Sequence, residues 1–177
     1  MENEITADTL AGAVTVPTVD ELLAMLGDDL KQHGLQCAYE LELQFPDDVE
    51  LQVAGLVHDV AHCVTSEAMH GIVGAEMVGP LFGDRVADLV RLHVEAKRYL
   101  VTTDPAYRAM LSSESVHTLA LQGGDMNQEE QLAFEAELHS ADAVALRRAD
   151  EAAKVDGRPV PGLDRWEEIL RRVAFSR

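Results

Sequence analysis

Apolar residues recur at helical spacing along nearly the whole chain, and no segment shows the strict apolar and polar alternation of a half-buried strand. Gly and Pro residues interrupt the pattern and mark turns. The pattern predicts helices over residues 18–28, 33–44, 47–63, 67–78, 84–99, 106–111, 114–121, 128–154 and 163–173. No repeat or low-complexity tract separates them. We therefore expect a single all-α domain over residues 1–177, with a loosely ordered segment at 1–17.

Local signals support several of these boundaries. Thr18 and Glu21 have the spacing of a capping box, which is typical of a helix N-terminus. The pair Gly79 and Pro80 predicts that the fourth helix stops at Val78, because proline disfavours a helix interior.

The composition is that of a globular domain in a reducing compartment. Hydrophobic residues make up 47% of 177 residues, enough for a core without disulfides. The two cysteines form neither a CxxC motif nor a secreted framework. The acidic start lacks a basic n-region, and no apolar run has the length of a membrane span. These features predict a cytoplasmic protein without a membrane partner.

The formal net charge of −18 argues against a nucleic-acid partner, which needs a basic surface. It leaves room for a small phosphate or phosphonate ligand, because bound metal ions can supply the local positive charge that such a ligand needs.

The densest cluster of candidate ligands lies in an apolar stretch at residues 54–64. His58 and His62 are four residues apart, so a continuous helix places them on one face, with Asp59 beside them. An unpaired buried carboxylate costs several kcal/mol, of the order of other buried charges, and a metal ion compensates this cost. The alternative is a core histidine beside a salt-bridged aspartate.

Further candidates lie on other predicted helices. His33 precedes the cluster and Asp150 lies in the long late helix, so the order of ligands is His, His-Asp, Asp. His70 and His93 raise the number of nitrogen donors. Histidine and carboxylate ligands suit divalent transition metals, and this set is large enough for two ions if Asp59 bridges them.

With these motifs the chain resembles the HD-domain mixed-valence di-iron oxygenases that cleave phosphonates, relatives of the inositol oxygenases. The resemblance runs from His33 to Pro161. It is most specific in the stretches HGLQCAY from His33, LVHD ending at Asp59, HVEAKRYLV from His93, LQGGDM from Leu121 and RADE from Arg148.

The resemblance implies an HD-type fold with a dinuclear site among its helices. It implies an oxygenase that uses O2 and two iron ions, as Fe(II)/Fe(III), to convert a small 1-hydroxyphosphonate to a carboxylic acid and orthophosphate. The implied metal ligands are His33, His58 and Asp150 for one iron, His70 and His93 for the other, and Asp59 as the bridge. Asp59 and His62 would be the catalytic pair. The implied substrate contacts are His62, Lys97, Ser115, Thr118 and Gln122.

The first helix departs from the family pattern. Leu23 and Leu26 stand where characterised aminophosphonate enzymes of the family carry an iron-binding tyrosine and an ammonium-binding glutamate. An ammonium group against two leucines would lose hydration without gaining a counter-charge. We therefore expect a substrate with a neutral, small or apolar tail, or with no tail, such as hydroxymethylphosphonate.

Two other functions fit the ordered His and Asp residues. One is an HD phosphohydrolase that attacks a nucleotide or phosphate ester with metal-activated water. The other is a non-catalytic regulator that keeps the metal site as a sensor. Dependence on dioxygen separates the oxygenase from both.

Overall fold

The structure is a computed structural model that describes residues 18–175. Within that range it is built of α-helices and one short 3₁₀ turn without strands, which confirms the all-α prediction. The helices are α1 (Val19–Met25), α2 (Asp28–Gln44), α3 (Val49–Val57), α4 (His70–Phe82), α5 (Asp84–Thr103), α6 (Pro105–Met110), α7 (Ser113–Leu121), α8 (Gln128–Glu135), α9 (Ser140–Ala152) and α10 (Leu163–Phe175). The expectation for residues 1–17 lies outside the described residues.

Helix α3 runs through the centre of the domain, between α2, α5 and α9. Asp48 caps its N-terminus by accepting a hydrogen bond from the backbone N–H of Leu51. Every residue from 51 to 57 is buried, as the apolar sequence of this helix requires. Gly34 lets α2 approach closely, because a Cβ there would lie 2.3 Å from the carbonyl oxygen of Leu56. This contact brings His33 beside the C-terminus of α3.

Helix α4 packs along α5, and α10 covers the outer side of α3 and α4. Gly83 joins α4 to α5 at a φ of 82°, in the left-handed region that favours glycine. Trp166 and Leu170 of α10 are fully buried against the core. Helix α10 therefore closes one side of the hydrophobic core.

The helix predicted over residues 47–63 is interrupted, and that prediction was wrong. Helix α3 ends at Val57, and a 3₁₀ turn (Val60–Cys63) follows after Asp59, whose φ of −98° and ψ of 8° leave the α region. A continuous helix would point Asp59 away from the face shared by His58 and His62. Because of the break, the Asp59 carboxylate lies 3.3 Å from Nε2 of His58 and 3.2 Å from Nε2 of His62.

Other predicted boundaries also need correction: α2 begins at Asp28 instead of residue 33, and α5 extends to Thr103 instead of residue 99. The helix predicted over residues 128–154 is two helices, because the chain changes direction around the exposed Leu138 and α9 then turns Leu146 into the core. Helix α4 continues through Pro80 instead of stopping at Val78. Glu76, whose carbonyl loses its helical donor at this proline, is exposed like Pro80, so water can replace the bond.

The composition-based expectations concern cysteines and membrane segments. Cys37 is buried, Cys63 is exposed, and both are free thiols. Among residues 18–175, no helix combines the length and apolar character needed to span a bilayer. The cytoplasmic location stays a prediction.

Candidate metal centre

The predicted ligands converge at the base of an open cavity of about 610 Å³. Helices α2, α5, α7 and α9 and the segment between α3 and α4 form its walls. His33, Asp59, His70, His93 and Asp150 line the cavity. His58 has no exposed surface and lies against Asp59. The fold therefore brings together ligand candidates that are more than a hundred residues apart in sequence.

One group of donors contains His33, His58, Asp59 and Asp150. The Nε2 atom of His33 lies 3.0 Å from Oδ1 of Asp150, and the Nε2 atom of His58 lies 3.8 Å from the same oxygen. Oδ2 of Asp59 lies 3.3 Å from Nε2 of His58 and 3.7 Å from Nε2 of His33. These four side chains surround one small volume with nitrogen and oxygen atoms.

A second group lies on the other side of Asp59. Its Oδ1 atom is 3.6 Å from Nε2 of His70 and 3.6 Å from Nε2 of His93. The two Nε2 atoms are 2.8 Å apart. The two carboxylate oxygens of Asp59 thus face different groups, which is the arrangement needed for a carboxylate that bridges two ions.

Three of the histidine rings are oriented by their own backbone. The Nδ1 atoms of His58, His70 and His93 lie 2.8, 2.7 and 2.6 Å from the carbonyl oxygens three residues earlier, those of Gly55, Glu67 and Val90. A carbonyl only accepts, so each Nδ1 carries a proton, and each ring in its neutral form turns an Nε2 lone pair inward. Two lone pairs 2.8 Å apart repel each other unless a cation lies between them. The same Nδ1–H to carbonyl bond is common in histidines that ligate metals.

The electrostatics also favour cations. Burial opposes charge on His58, but Asp59 and Asp150 outweigh it and raise the pKa of His58 to about 10. Its Nε2 atom nevertheless has no hydrogen-bond partner within the described residues. By contrast, burial and then the neighbouring rings of His70 and His58 lower the pKa of His93 well below its usual value. A divalent cation would be attracted by the negative potential of the two aspartates and would give Nε2 of His58 a partner.

The donor spacing suits metal ions. Ligands about 2.0–2.2 Å from an ion lie roughly 3 Å from each other. His33, His58 and Asp59 have donor atoms within 4.8 Å of one another, and so do Asp59, His70 and His93. The described residues can therefore hold a metal cofactor.

His62 lies at the rim of the second group. Its ring stacks on His70, with centroids 4.0 Å apart. Its Nε2 atom lies 3.2 Å from Oδ1 of Asp59, and its Nδ1 atom lies 3.2 Å from Oε1 of Glu67. Sequence reasoning missed Glu67, because an acidic residue in a turn carries no distinctive signal.

Lys97 points into the cavity one helical turn after His93. It is 3% exposed, and its Nζ donates to Oγ1 of Thr118 at 2.6 Å and to Oε1 of Gln122 at 2.8 Å. An ammonium group has three donors, so one N–H is left over for a ligand. Burial, followed by the nearby cations Arg147 and Lys154, lowers the pKa of Lys97 to about 8.

Two basic residues of the cavity were missed in the sequence. Arg147 and Lys154 lie three residues before and four residues after Asp150, which places all three on one face of α9 and its end. This spacing is visible in the sequence, so the two basic residues could have been predicted to lie beside Asp150. With Lys97 they form a basic wall, which we call the anion wall.

Ser115 of α7 also lines this wall, but its hydroxyl already has partners. It donates to Oε2 of Glu151 at 2.8 Å and accepts from Arg147 at 3.0 Å and Lys154 at 2.6 Å. Thr118 lies one turn further along α7 and Gln122 directly after that helix, so the expected cluster is present in space. Their contacts with a substrate stay predictions.

The expectation based on Leu23 and Leu26 needs correction. Leu26 is 4% exposed and belongs to the hydrophobic core, and Leu23 packs against that core. Neither lines the cavity, whose residues from this segment include Asp29 and Leu30. In this structure the two leucines pack in the core instead of bordering the cavity, and the preference for a substrate with a neutral tail or no tail stays a prediction.

A helical domain with this set of His and Asp donors is the arrangement expected of an HD domain, and residues 18–150 match the HD domain family. The chain is 37% identical over 154 residues to a [1-hydroxy-2-(trimethylamino)ethyl]phosphonate dioxygenase (glycine-betaine-forming) of Leisingera caerulea, covering 81% of this chain and 78% of that protein. It is 36% identical over 146 residues to a hydroxymethylphosphonate dioxygenase of Gimesia maris, covering 76% and 72%. The chain belongs to the HD-domain family and, within it, to the phosphonate dioxygenases, which are oxidoreductases.

Proposed function

We propose that this protein uses two iron ions and dioxygen to cleave the carbon–phosphorus bond of a small 1-hydroxyphosphonate. The products are a carboxylic acid and orthophosphate. The observation that carries the proposal is the position of Asp59 between two histidine groups, beside a basic wall in the same cavity. A metal pair next to an anion site fits a substrate in which the oxidised carbon is bonded to phosphorus.

The donor set fits iron. Nitrogen and carboxylate ligands without sulfur suit non-haem iron, and the unpartnered Nε2 of His58 and the apposed Nε2 atoms of His70 and His93 call for cations. His33, His58 and Asp150 would hold one ion, His70 and His93 the other, and Asp59 both. A mixed-valence Fe(II)/Fe(III) pair supplies the one-electron chemistry with dioxygen that side chains lack.

The side chains would bind and orient the substrate. The free N–H of Lys97 would pair with a phosphonate oxygen, with Thr118 and Gln122 holding the ammonium in place. His62 would contact the substrate next to the second metal group, since it lines the cavity and stacks on His70. Ser115 would border the phosphonate from α7. Fixing the phosphonate in this way directs the carbinol carbon towards the metals.

The reaction balance gives a direct test. For hydroxymethylphosphonate, one O2 per substrate gives one formic acid and one orthophosphate, with both oxygen atoms in the products. Protein loaded with iron anaerobically should release phosphate from hydroxymethylphosphonate or its 2-amino or 2-trimethylamino homologues only when O2 is admitted. Phosphate released from these compounds without O2 use, or from phosphate esters instead, would identify a phosphohydrolase and overturn the proposal.

A further inference from the structure

Two cations of the anion wall and the adjacent hydroxyl of Ser115 converge on one carboxylate behind them. Glu151 does not line the cavity, whereas Ser115, Arg147 and Lys154 do. Its Oε2 atom accepts from the Ser115 hydroxyl at 2.8 Å, from Arg147 at 2.6 Å and from Lys154 at 3.1 Å. An acid this close to an anion site reduces the attraction for the ligand, so its presence needs a reason.

The other oxygen of Glu151 ties the wall to α7. Oε1 accepts from the backbone N–H of Ser112 at 2.6 Å, and Ser112 is the N-cap of that helix. Glu151 lies on α9 next to Asp150, so it connects the helix that bears a metal ligand to the helix that carries Ser115 and Thr118. With its side chain only 10% exposed, this carboxylate is held in one place by its partners.

These contacts also fix the direction of the hydroxyl of Ser115. A hydroxyl has one proton, and here it is given to Glu151, while Arg147 and Lys154 donate to the same oxygen. In this arrangement Ser115 acts as an acceptor towards the two cations and as a donor to Glu151.

We propose that Glu151 is the positioning residue of the anion wall: it orients Ser115 and Lys154 from behind and, with Asp150 and the Tyr107 hydroxyl, also orients Arg147, so that the two cations face the phosphonate. The inference rests on the proposed function, because it takes the anion to be the phosphonate group of the substrate. It assigns Ser115 a positioning role through Glu151.

The test measures binding and does not require turnover. Methylphosphonate has the phosphonate group but no carbinol hydroxyl, and its affinity for metal-loaded protein can be measured by calorimetry. Glu151→Gln should weaken that affinity at least tenfold, because the amide cannot accept from three donors and brings an N–H towards two cations. Metal content should be unchanged. Glu168→Gln removes one charge from an exposed acid on α10 and should bind methylphosphonate like the wild type.

A double-variant comparison separates positioning from independent effects. Ser115→Ala should also weaken binding, and combining it with Glu151→Gln should add less than threefold to the loss, because both act on the same cations. With substrate, both single variants should raise KM much more than they lower kcat.

Wild-type affinity in Glu151→Gln, losses that multiply in the double variant, or loss of metal would each overturn the proposal. If Glu151→Gln does not fold, Ser115→Ala alone must show the weaker binding, or the proposal fails. A protein that binds methylphosphonate as described but shows no O2-dependent phosphate release would refute the proposed function and leave the role of Glu151 intact.

Discussion

Replacing Lys97 with methionine isolates the charge that we assign to phosphonate binding. Methionine keeps much of the buried chain length of a residue that is 3% exposed but removes the ammonium. A hydrogen bond to a charged group contributes about 1.5–3 kcal/mol, which corresponds to roughly 10- to 150-fold in affinity. Methylphosphonate binding should weaken within that range, while metal content stays at the wild-type value because Lys97 lies outside both groups of donors.

The pH dependence gives an independent check of the same group. The pKa of Lys97 is about 8, so the ammonium is present below that pH and is lost as pH rises through it. Affinity in the wild type should therefore fall above pH 8, by up to tenfold per unit, while Lys97→Met lacks this inflection. The reasoning is refuted if the variant binds like the wild type, loses its metal, or keeps the same pH profile.

Four further variants test the metal centre and the packing around it. Asp59→Ala should lose both metals by elemental analysis, whereas His93→Ala should lose only one; retention of both in Asp59→Ala would exclude a bridging role. Gly34→Ala should lower stability by at least about 1–3 kcal/mol in denaturant unfolding, because its Cβ would lie 2.3 Å from a backbone oxygen of α3. Leu26→Glu should destabilise by several kcal/mol through burial of a charge, without changing the ranking of neutral and cationic substrates; a change in that ranking would place residue 26 in the cavity after all.

Residue types at helical positions were enough to predict the helical class and the ligand candidates. His33 and Asp150 could be predicted because, on separate predicted helices, they complete the order His, His-Asp, Asp around the cluster at His58 and Asp59. Glu67 and Glu151 could not, because an acidic residue in a turn or at a helix end looks like solvated surface until the fold gives it partners. The break before α9 was also missed. The residues around it favour a helix, and the chain turns there only because the next segment is buried in the core.

The tail of the substrate illustrates a different limit. The resemblance to the family predicted that Leu23 and Leu26 lie beside the tail of the substrate. In the structure Leu26 lies in the hydrophobic core, and Asp29 lines the cavity. Selectivity for the tail therefore has to be sought among residues after α1.

The bond from Nδ1 to the carbonyl three residues earlier has a consequence for the entropy of metal capture. Because His58, His70 and His93 are each held by the backbone of their own segment, their rings lose rotational freedom when the chain folds, before any ion arrives. Ordering a free side chain on binding costs roughly 0.5–1.5 kcal/mol, so three pre-oriented rings avoid several kcal/mol at the binding step. A metal ion would therefore meet a rigid chelator, and the cost of ordering these side chains would appear in protein stability instead of metal affinity.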